Sequence, residues 1–406
     1  MAGSISAREG FRRGSRSLVR GRVIGLAVLL LATLVAVPAR AASAASATSG
    51  ASATSGISTT SAAKGDLLAS RRVELAGELV AAGATGYRVK YLSTSANDRP
   101  TAVSGVVLLP PGTPPRGGWP VISWAHGTTG ISDRCAPSRD TELGGLGYPA
   151  YLAGLVRGGY AVAATDYEGL GTPGVHPYLI AESQARSVVD AVRAARNLRP
   201  EISRKWLTVG HSQGGHAALA AGEIASGYGR GLDFRGTVAI APITDNRPYV
   251  GQLSQLQSVD HGYYMSILAG LATSHPELRL TDYLGSRALR EFPRIHTTCL
   301  DELTNRMMEL NLPGSEFVPA SPAAASRLTD LLGDNAVPRK RSAAPVFVAQ
   351  GLADELVTAD RTGIAVERAR DFGTATDVVY YPGVGHYDIN ETSTPDVLRW
   401  IEARTR

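Results

Sequence analysis

Gly210-His211-Ser212-Gln213-Gly214 spells G-x-S-x-G, the spacing of a nucleophilic serine set on a tight strand-to-helix turn. A chain with 45 glycines can carry that pattern by accident, so the flanking residues decide. Residues 205–209 read as a strand and residues 215–225 as a helix, the order such a turn requires. Glycine on both sides of the turn spares it side-chain clashes. The hydroxyl is then lifted above the sheet edge with a helix N-terminus behind it. A serine hydroxyl is a weak nucleophile at neutral pH and needs a base, which in turn needs an orienting acid. The chemistry indicated is acyl transfer through a covalent intermediate.

Eight histidines are available as the base. His386 ends Tyr381-Pro382-Gly383-Val384-Gly385-His386, a loop after the predicted strand 378–381 that can hold an imidazole over the sheet edge. His126 and His211 belong to other motifs, and His176, His261, His275 and His296 fall in loops or in a long insert. The acid is expected after the preceding strand, in the chain order serine, acid, histidine. Gln350-Gly351-Leu352-Ala353-Asp354-Glu355-Leu356-Val357 places Asp354 there, 32 residues before His386, with Glu355 beside it and Asp388 further on as alternatives. A tetrahedral oxyanion also needs two preorganised amide donors. One is the amide of Gln213. The second is expected from Trp124-Ala125-His126-Gly127-Thr128-Thr129-Gly130, with Thr128 the first choice and Gly127 the fallback.

These residues need a scaffold that brings strand ends together. Residues 87–93 and 102–109 read as an opening antiparallel pair. Short apolar or β-branched runs follow at 121–125, 161–165, 207–209, 238–243, 346–349 and 378–381, each stopped by Gly, Asp, Thr or Pro, as in strands buried on both faces. Helical patterns occupy 148–157, 181–197, 215–225, 358–371 and 395–404. This alternation predicts an α/β fold, a doubly wound and mostly parallel sheet with right-handed crossovers. Between residues 244 and 345 the rhythm breaks for roughly 100 residues, too long for an ordinary crossover. Tyr263, Tyr264, Ile267, Leu268 and Leu271, then Leu303, Met307 and Met308, recur there at helical spacing, so a helical cap over the sheet end is expected. Met265, Met307 and Met308 all lie in it, and flexible thioethers would suit a pocket taking varied acyl chains.

The net charge of +5 suggests an acidic partner only until it is located. Seven arginines against Glu9 in residues 1–42 give a local balance of +6, which leaves −1 for the rest. Nucleic acid is therefore not an expected partner. The basic head leads into an apolar run at 23–37, about 15 residues or roughly 22 Å of helix, short of a hydrocarbon core of about 30 Å. Pro38 and Ala39-Arg40-Ala41 close it. A secretory signal peptide over residues 1–41 is the reading, with an uncleaved anchor as the alternative. Arg12-Arg13 also permits a twin-arginine export signal. Residues 42–63 are almost wholly Ala, Ser, Thr and Gly, a flexible linker. The expected organisation is then core at 64–244, cap at 245–344 and core again at 345–406. Cys135 and Cys299 are the only cysteines, and in an oxidising compartment a lone pair favours one disulfide.

A competing motif fails. Gly169-Leu170-Gly171-Thr172-Pro173-Gly174 fits G-x-G-x-x-G after a strand, but Pro173, Gly174 and Pro177 prevent a helix from opening there, and phosphates would lack its N-terminus.

Ala125-His126-Gly127-Thr128-Thr129-Gly130, Cys135-Ala136-Pro137-Ser138, Thr165-Asp166-Tyr167-Glu168-Gly169-Leu170-Gly171, His176-Pro177-Tyr178-Leu179 and the 210–215 elbow together resemble the secretory lipases, from about residue 87 to the C-terminus. The resemblance implies an α/β-hydrolase with a Ser-Asp-His triad and a lid inserted before the acid. It implies hydrolysis of triacylglycerol or another carboxylic ester without a metal or organic cofactor, the substrate being a small-molecule or lipid ester met in solution or at a lipid–water interface. It further implies a Cys135–Cys299 disulfide between core and cap. Gln213 stands where some fungal members have glycine. The same residues would also serve a secreted acyltransferase or a short-chain carboxylesterase, and an inert Ser212 would leave a binding module.

Overall fold

The computed structural model of the chain describes residues 63–406, so the expected signal peptide and nearly all of the linker lie outside the described residues. The chain enters through β1 (Leu67–Val73), α1 (Gly77–Ala81), β2 (Thr85–Thr94), β3 (Pro100–Leu109) and β4 (Trp119–Ala125). Next come α2 (Tyr148–Arg157), β5 (Ala161–Glu168), α3 (Ala181–Leu198), β6 (Ile202–His211), α4 (Gln213–Ile224) and β7 (Asp233–Ile240). Four helices follow, α5 (His261–Ser274), α6 (Ser286–Glu291), α7 (Leu300–Leu310) and α8 (Pro322–Asp334). The chain closes with β8 (Val346–Gly351), α9 (Ala359–Asp371), β9 (Thr376–Tyr381) and α10 (Ile389–Thr405).

The nine strands form one sheet in the order β1-β2-β3-β5-β4-β6-β7-β8-β9. β1 to β3 are antiparallel to their neighbours, including β3 with β5, and every pair from β5 to β9 is parallel. The parallel strands carry unbroken apolar runs because both faces are covered. On one face, Val188 and Val192 of α3, Ala217 and Ala220 of α4 and Val366 of α9 pack with Val121, Ala163 and Val348. On the other, Leu152 and Leu155 of α2 and Val397 and Ile401 of α10 pack with Ile122, Val209, Val238 and Phe347. From β4 the chain steps to β5 on one side and then to β6 on the other. That reversal leaves a crevice at the carboxyl ends of β4 and β6, where ligands of open α/β sheets bind.

All eight expected strands are present, and outside the insert the structure adds two elements, β1 and α1. β1 pairs with β2 at the sheet edge, but its central residues are exposed, so it has no apolar alternation to detect. α1 is a five-residue helix anchored by buried Leu79. α10 begins at Ile389 rather than at residue 395, with Pro395 inside it. Proline prefers the first helical turn, but here buried Ile389 and Ser393 hold the turn before it against the core.

The segment between β7 and β8 is helical, as expected. Its own apolar cluster, with Met265, Leu268, Phe317 and Leu328, takes in Ile131, Tyr178, Leu179 and Ile180 from the loops after β4 and β5. α5 crosses those loops so closely that a Cβ at Gly270 would lie 2.2 Å from the Tyr178 carbonyl oxygen. Cys135 and Cys299 form a disulfide with Cα atoms 5.5 Å apart, joining the loop after β4 to the residue that caps α7. Beside it Gly130 bridges to Cys299, and the Leu300 amide donates to the Thr129 carbonyl at 2.9 Å.

Candidate active site

β6 ends at His211 and α4 starts at Gln213, so Ser212 alone makes the turn, with φ 58° and ψ −117°. A side chain in such a region costs of order 1–3 kcal/mol and persists only where its surroundings enforce it. Here they do. The Ser212 amide donates to the Ile240 carbonyl at 2.9 Å, and its carbonyl accepts from the amides of His216 at 3.1 Å and Ile243 at 3.2 Å. The two motif glycines are required by close approach. A Cβ at Gly210 would sit 2.1 Å from the Gly214 oxygen, and one at Gly214 would sit 1.8 Å from the Ala125 oxygen.

Asp354 follows β8 and His386 follows β9, and the two meet, with Nδ1 of His386 2.7 Å from Oδ2 of Asp354. The other carboxylate oxygen accepts the amides of Leu356 at 2.9 Å and Val357 at 2.8 Å. Burial alone would raise this carboxyl, but hydrogen bonding and charge from His386, helped by the two amides, hold it below the ordinary aspartate value. An ionised carboxylate only accepts, so Nδ1 carries the proton and Nε2 is left basic. Glu355 and Asp388, the alternative acids, are exposed, and neither bonds the imidazole. Ser212 and His386 line one cavity. The serine hydroxyl makes no hydrogen bond to the imidazole among the described residues, a contact that catalytic sites often tighten only when substrate is bound.

The loop after β4 separates the two oxyanion candidates. The Gly127 amide is committed to the Tyr148 hydroxyl at 3.0 Å, whereas among the described residues neither the Thr128 nor the Gln213 amide donates to a protein acceptor. The fallback is thus already spent. The Thr128 hydroxyl is paired with that of Tyr178 at 2.8 Å. The Gln213 side chain is held from below, donating to Nε2 of His176 at 2.9 Å and to Oε1 of Gln184 at 2.8 Å. Gln184 then donates to Nδ1 of His216 at 3.0 Å, whose Nε2 donates to the Asn335 carbonyl at 2.8 Å. Burial pushes His176 down to about 3 and His216 down to about 4, so both are neutral links. No spacing in the sequence signals this chain, because its members come from four separate segments.

The cavity has a volume of about 230 Å³, and Val250, Leu253, Leu256, Ile267, Leu328 and Leu332 give it an apolar wall. The methionines do not contribute to it. Met265 and Met307 are buried in the packing of the helical insert and Met308 is exposed, so the expectation of a thioether-lined pocket is corrected: at helical spacing they serve as packing.

A serine on a sharp turn after a central strand, with a carboxylate and an imidazole after the last two strands, β8 and β9, sits on the sheet of an α/β-hydrolase. Over residues 149–406 the chain matches the secretory lipase family. It belongs to that family. Among proteins of known structure it is similar to Candida antarctica lipase A in its closed state, at 18% identity and a TM-score of 0.70 over 84% of this chain and 82% of that one. It is also similar to the rice cell wall degrading esterase LipA of Xanthomonas oryzae, at 20% identity and a TM-score of 0.66 over 84% and 98%. A probable inactive lipase of Mycobacterium tuberculosis is 26% identical over 375 residues, 84% of this chain and 79% of that protein.

Proposed function

We propose that this chain is an exported serine hydrolase of carboxylic esters, working through Ser212, His386 and Asp354. The hydrogen bond between Asp354 and His386, on a wall shared with the elbow serine, carries the reading. The Ser212 Oγ attacks the ester carbonyl carbon while Nε2 of His386 takes its proton. Asp354 steadies the imidazolium, and the oxyanion rests against the amides of Gln213 and Thr128. The carbon–oxygen bond of the ester then breaks, and the alcohol leaves with the proton from His386. Water attacks the acyl-enzyme, giving a proton to the same nitrogen. Collapse frees the carboxylic acid and returns the proton to Ser212. The acyl chain occupies the apolar cavity. Export through the segment at residues 1–41 agrees with the disulfide, which persists in oxidising compartments.

The test is a p-nitrophenyl ester series from acetate to palmitate, run on the wild type and on Ser212→Ala. Burying one methylene gains about 0.8 kcal/mol, so kcat/KM should climb by up to about fourfold per CH₂ until the chain outgrows the cavity. Ser212→Ala should abolish turnover. A second reading, binding without turnover, draws on the relative from Mycobacterium tuberculosis described as a probable inactive lipase and would be adopted if the wild type hydrolysed none of the series.

A further inference from the structure

His211 and Tyr148 lie behind the site, and neither lines the cavity. Both are fully buried, and their partners leave only one way to place the hydrogens. Nε2 of His211 lies 2.9 Å from the main-chain carbonyl of His386, which can only accept, so Nε2 carries a proton. Burial, reinforced by the charge of His386, pushes the His211 imidazole down to about 3, so its Nδ1 is bare and accepts. The Tyr148 hydroxyl, 2.9 Å from that nitrogen, must donate to it. Burial also raises the Tyr148 hydroxyl above its ordinary value, so it keeps the proton to give. Its oxygen in turn accepts the Gly127 amide at 3.0 Å. Every donor and acceptor in the chain from Gly127 through Tyr148 and His211 to His386 has one partner and one direction.

This chain joins the three parts that must hold register during acyl transfer. Gly127 precedes the oxyanion donor Thr128, His211 precedes the nucleophile, and the carbonyl belongs to the base itself. The His211 ring also packs against the His386 ring, with centroids 4.7 Å apart and planes tilted by 41°. Remaining neutral matters there, since a second imidazolium at that distance would oppose the one that forms on His386 in the transition state. Gly127 shows how close the fit is, because a Cβ at this position would lie 2.5 Å from the tyrosine oxygen. From these contacts we infer that Tyr148 and His211 are positioning residues for the reaction proposed above, fixing the base and the oxyanion loop relative to the serine. The inference rests on that reaction.

Tyr148→Phe removes the donor to His211 and strands the Gly127 amide; His211→Phe keeps a ring under His386 but cuts both hydrogen bonds. Tyr151→Phe is the matched control: Tyr151 is on the same helix, packs on the same Trp124, and its hydroxyl has no partner among the described residues. Turnover of p-nitrophenyl butyrate is measured per active site titrated with a fluorophosphonate, beside Tm. Both test variants should lose roughly tenfold to a hundredfold in kcat, with KM within about twofold of wild type and with Tyr151→Phe unchanged. A purely structural role would lower Tm while leaving kcat per titrated site at the wild-type value, and that result overturns the inference. Nitrogen-15 NMR of the wild type gives a check that needs no variant. His211 should show the neutral tautomer protonated at Nε2 across about pH 5 to 8; the other tautomer, or titration in that range, overturns it equally. Failure of the wild type itself to react with fluorophosphonate or ester would instead sink the hydrolase reading, and the inference with it.

Discussion

Ser212 holds its hydroxyl over the sheet edge at the cost of a left-handed φ of 58°, a conformation that glycine adopts freely. Strain of this kind is kept for function, which gives it a thermodynamic signature. Ser212→Gly should be inactive yet more stable than wild type by about 1 kcal/mol, seen as a higher Tm in calorimetry. Ser212→Ala keeps the Cβ and should show no comparable gain. An unchanged or lower Tm for the glycine variant would mean that the turn is relaxed. At this scale the sequence was informative wherever a residue follows a strand: Ser212, Asp354 and His386 could each be placed by the element before it. Tyr148 could not. It starts a helix 21 residues after Gly127, and nothing in its neighbourhood announces that its hydroxyl meets the β4 loop. The choice between Thr128 and Gly127 likewise needed coordinates, since both amides satisfy the motif and only the tyrosine contact separates them.

Among the elements, the loop after β4 has an outside support. Thr129 and Gly130 are bonded to Leu300 and Cys299 at the start of α7, beside the Cys135–Cys299 disulfide. A crosslink closing 164 residues removes chain entropy from the unfolded state worth on the order of 5 kcal/mol. Replacing both cysteines by serine should therefore lower Tm by many degrees. It should also lower kcat, because the neighbouring Thr128 amide loses its anchor. A lower Tm with full kcat at a temperature where the variant is folded would show that the loop is held without α7. Elements with a continuous apolar run, such as β4 to β8, or with a long helical pattern, such as α3, were legible. β1 was not, because an exposed edge strand carrying Arg71 and Arg72 is recognisable only by the partner it pairs with. Proline misled at α10, where tertiary burial outweighed the preference for a helix start.

For the molecule as a whole, buried histidines set the pH response. His176, His211 and His216 are pushed by burial to about 3, 3 and 4, whereas in the unfolded chain they take up protons near 6.5. Below that pH the unfolded state binds more protons than the native one, so stability falls on acidification and returns as pH rises. Each contributes up to about 1.4 kcal/mol per pH unit until its folded value is reached. Asp354 adds to this lower down. Its depressed carboxyl contributes stability present above the ordinary aspartate value and lost as pH falls through the folded one. Asp166, Glu168 and Asp190, raised by burial, act in the opposite sense, so one histidine must be isolated. Tm measured from pH 7.5 to 5 should fall less steeply in His216→Gln than in wild type; equal slopes would mean that His216 is protonated in the fold.

The central claim, that Ser212 is the nucleophile of an acyl-transfer site completed by His386 and Asp354, is tested most directly by reacting the purified protein with a fluorophosphonate and locating the adduct by peptide mass spectrometry. The account predicts one adduct per chain, on Ser212, with ester turnover lost in proportion to labelling. An adduct elsewhere, or turnover that survives complete modification of Ser212, would contradict it.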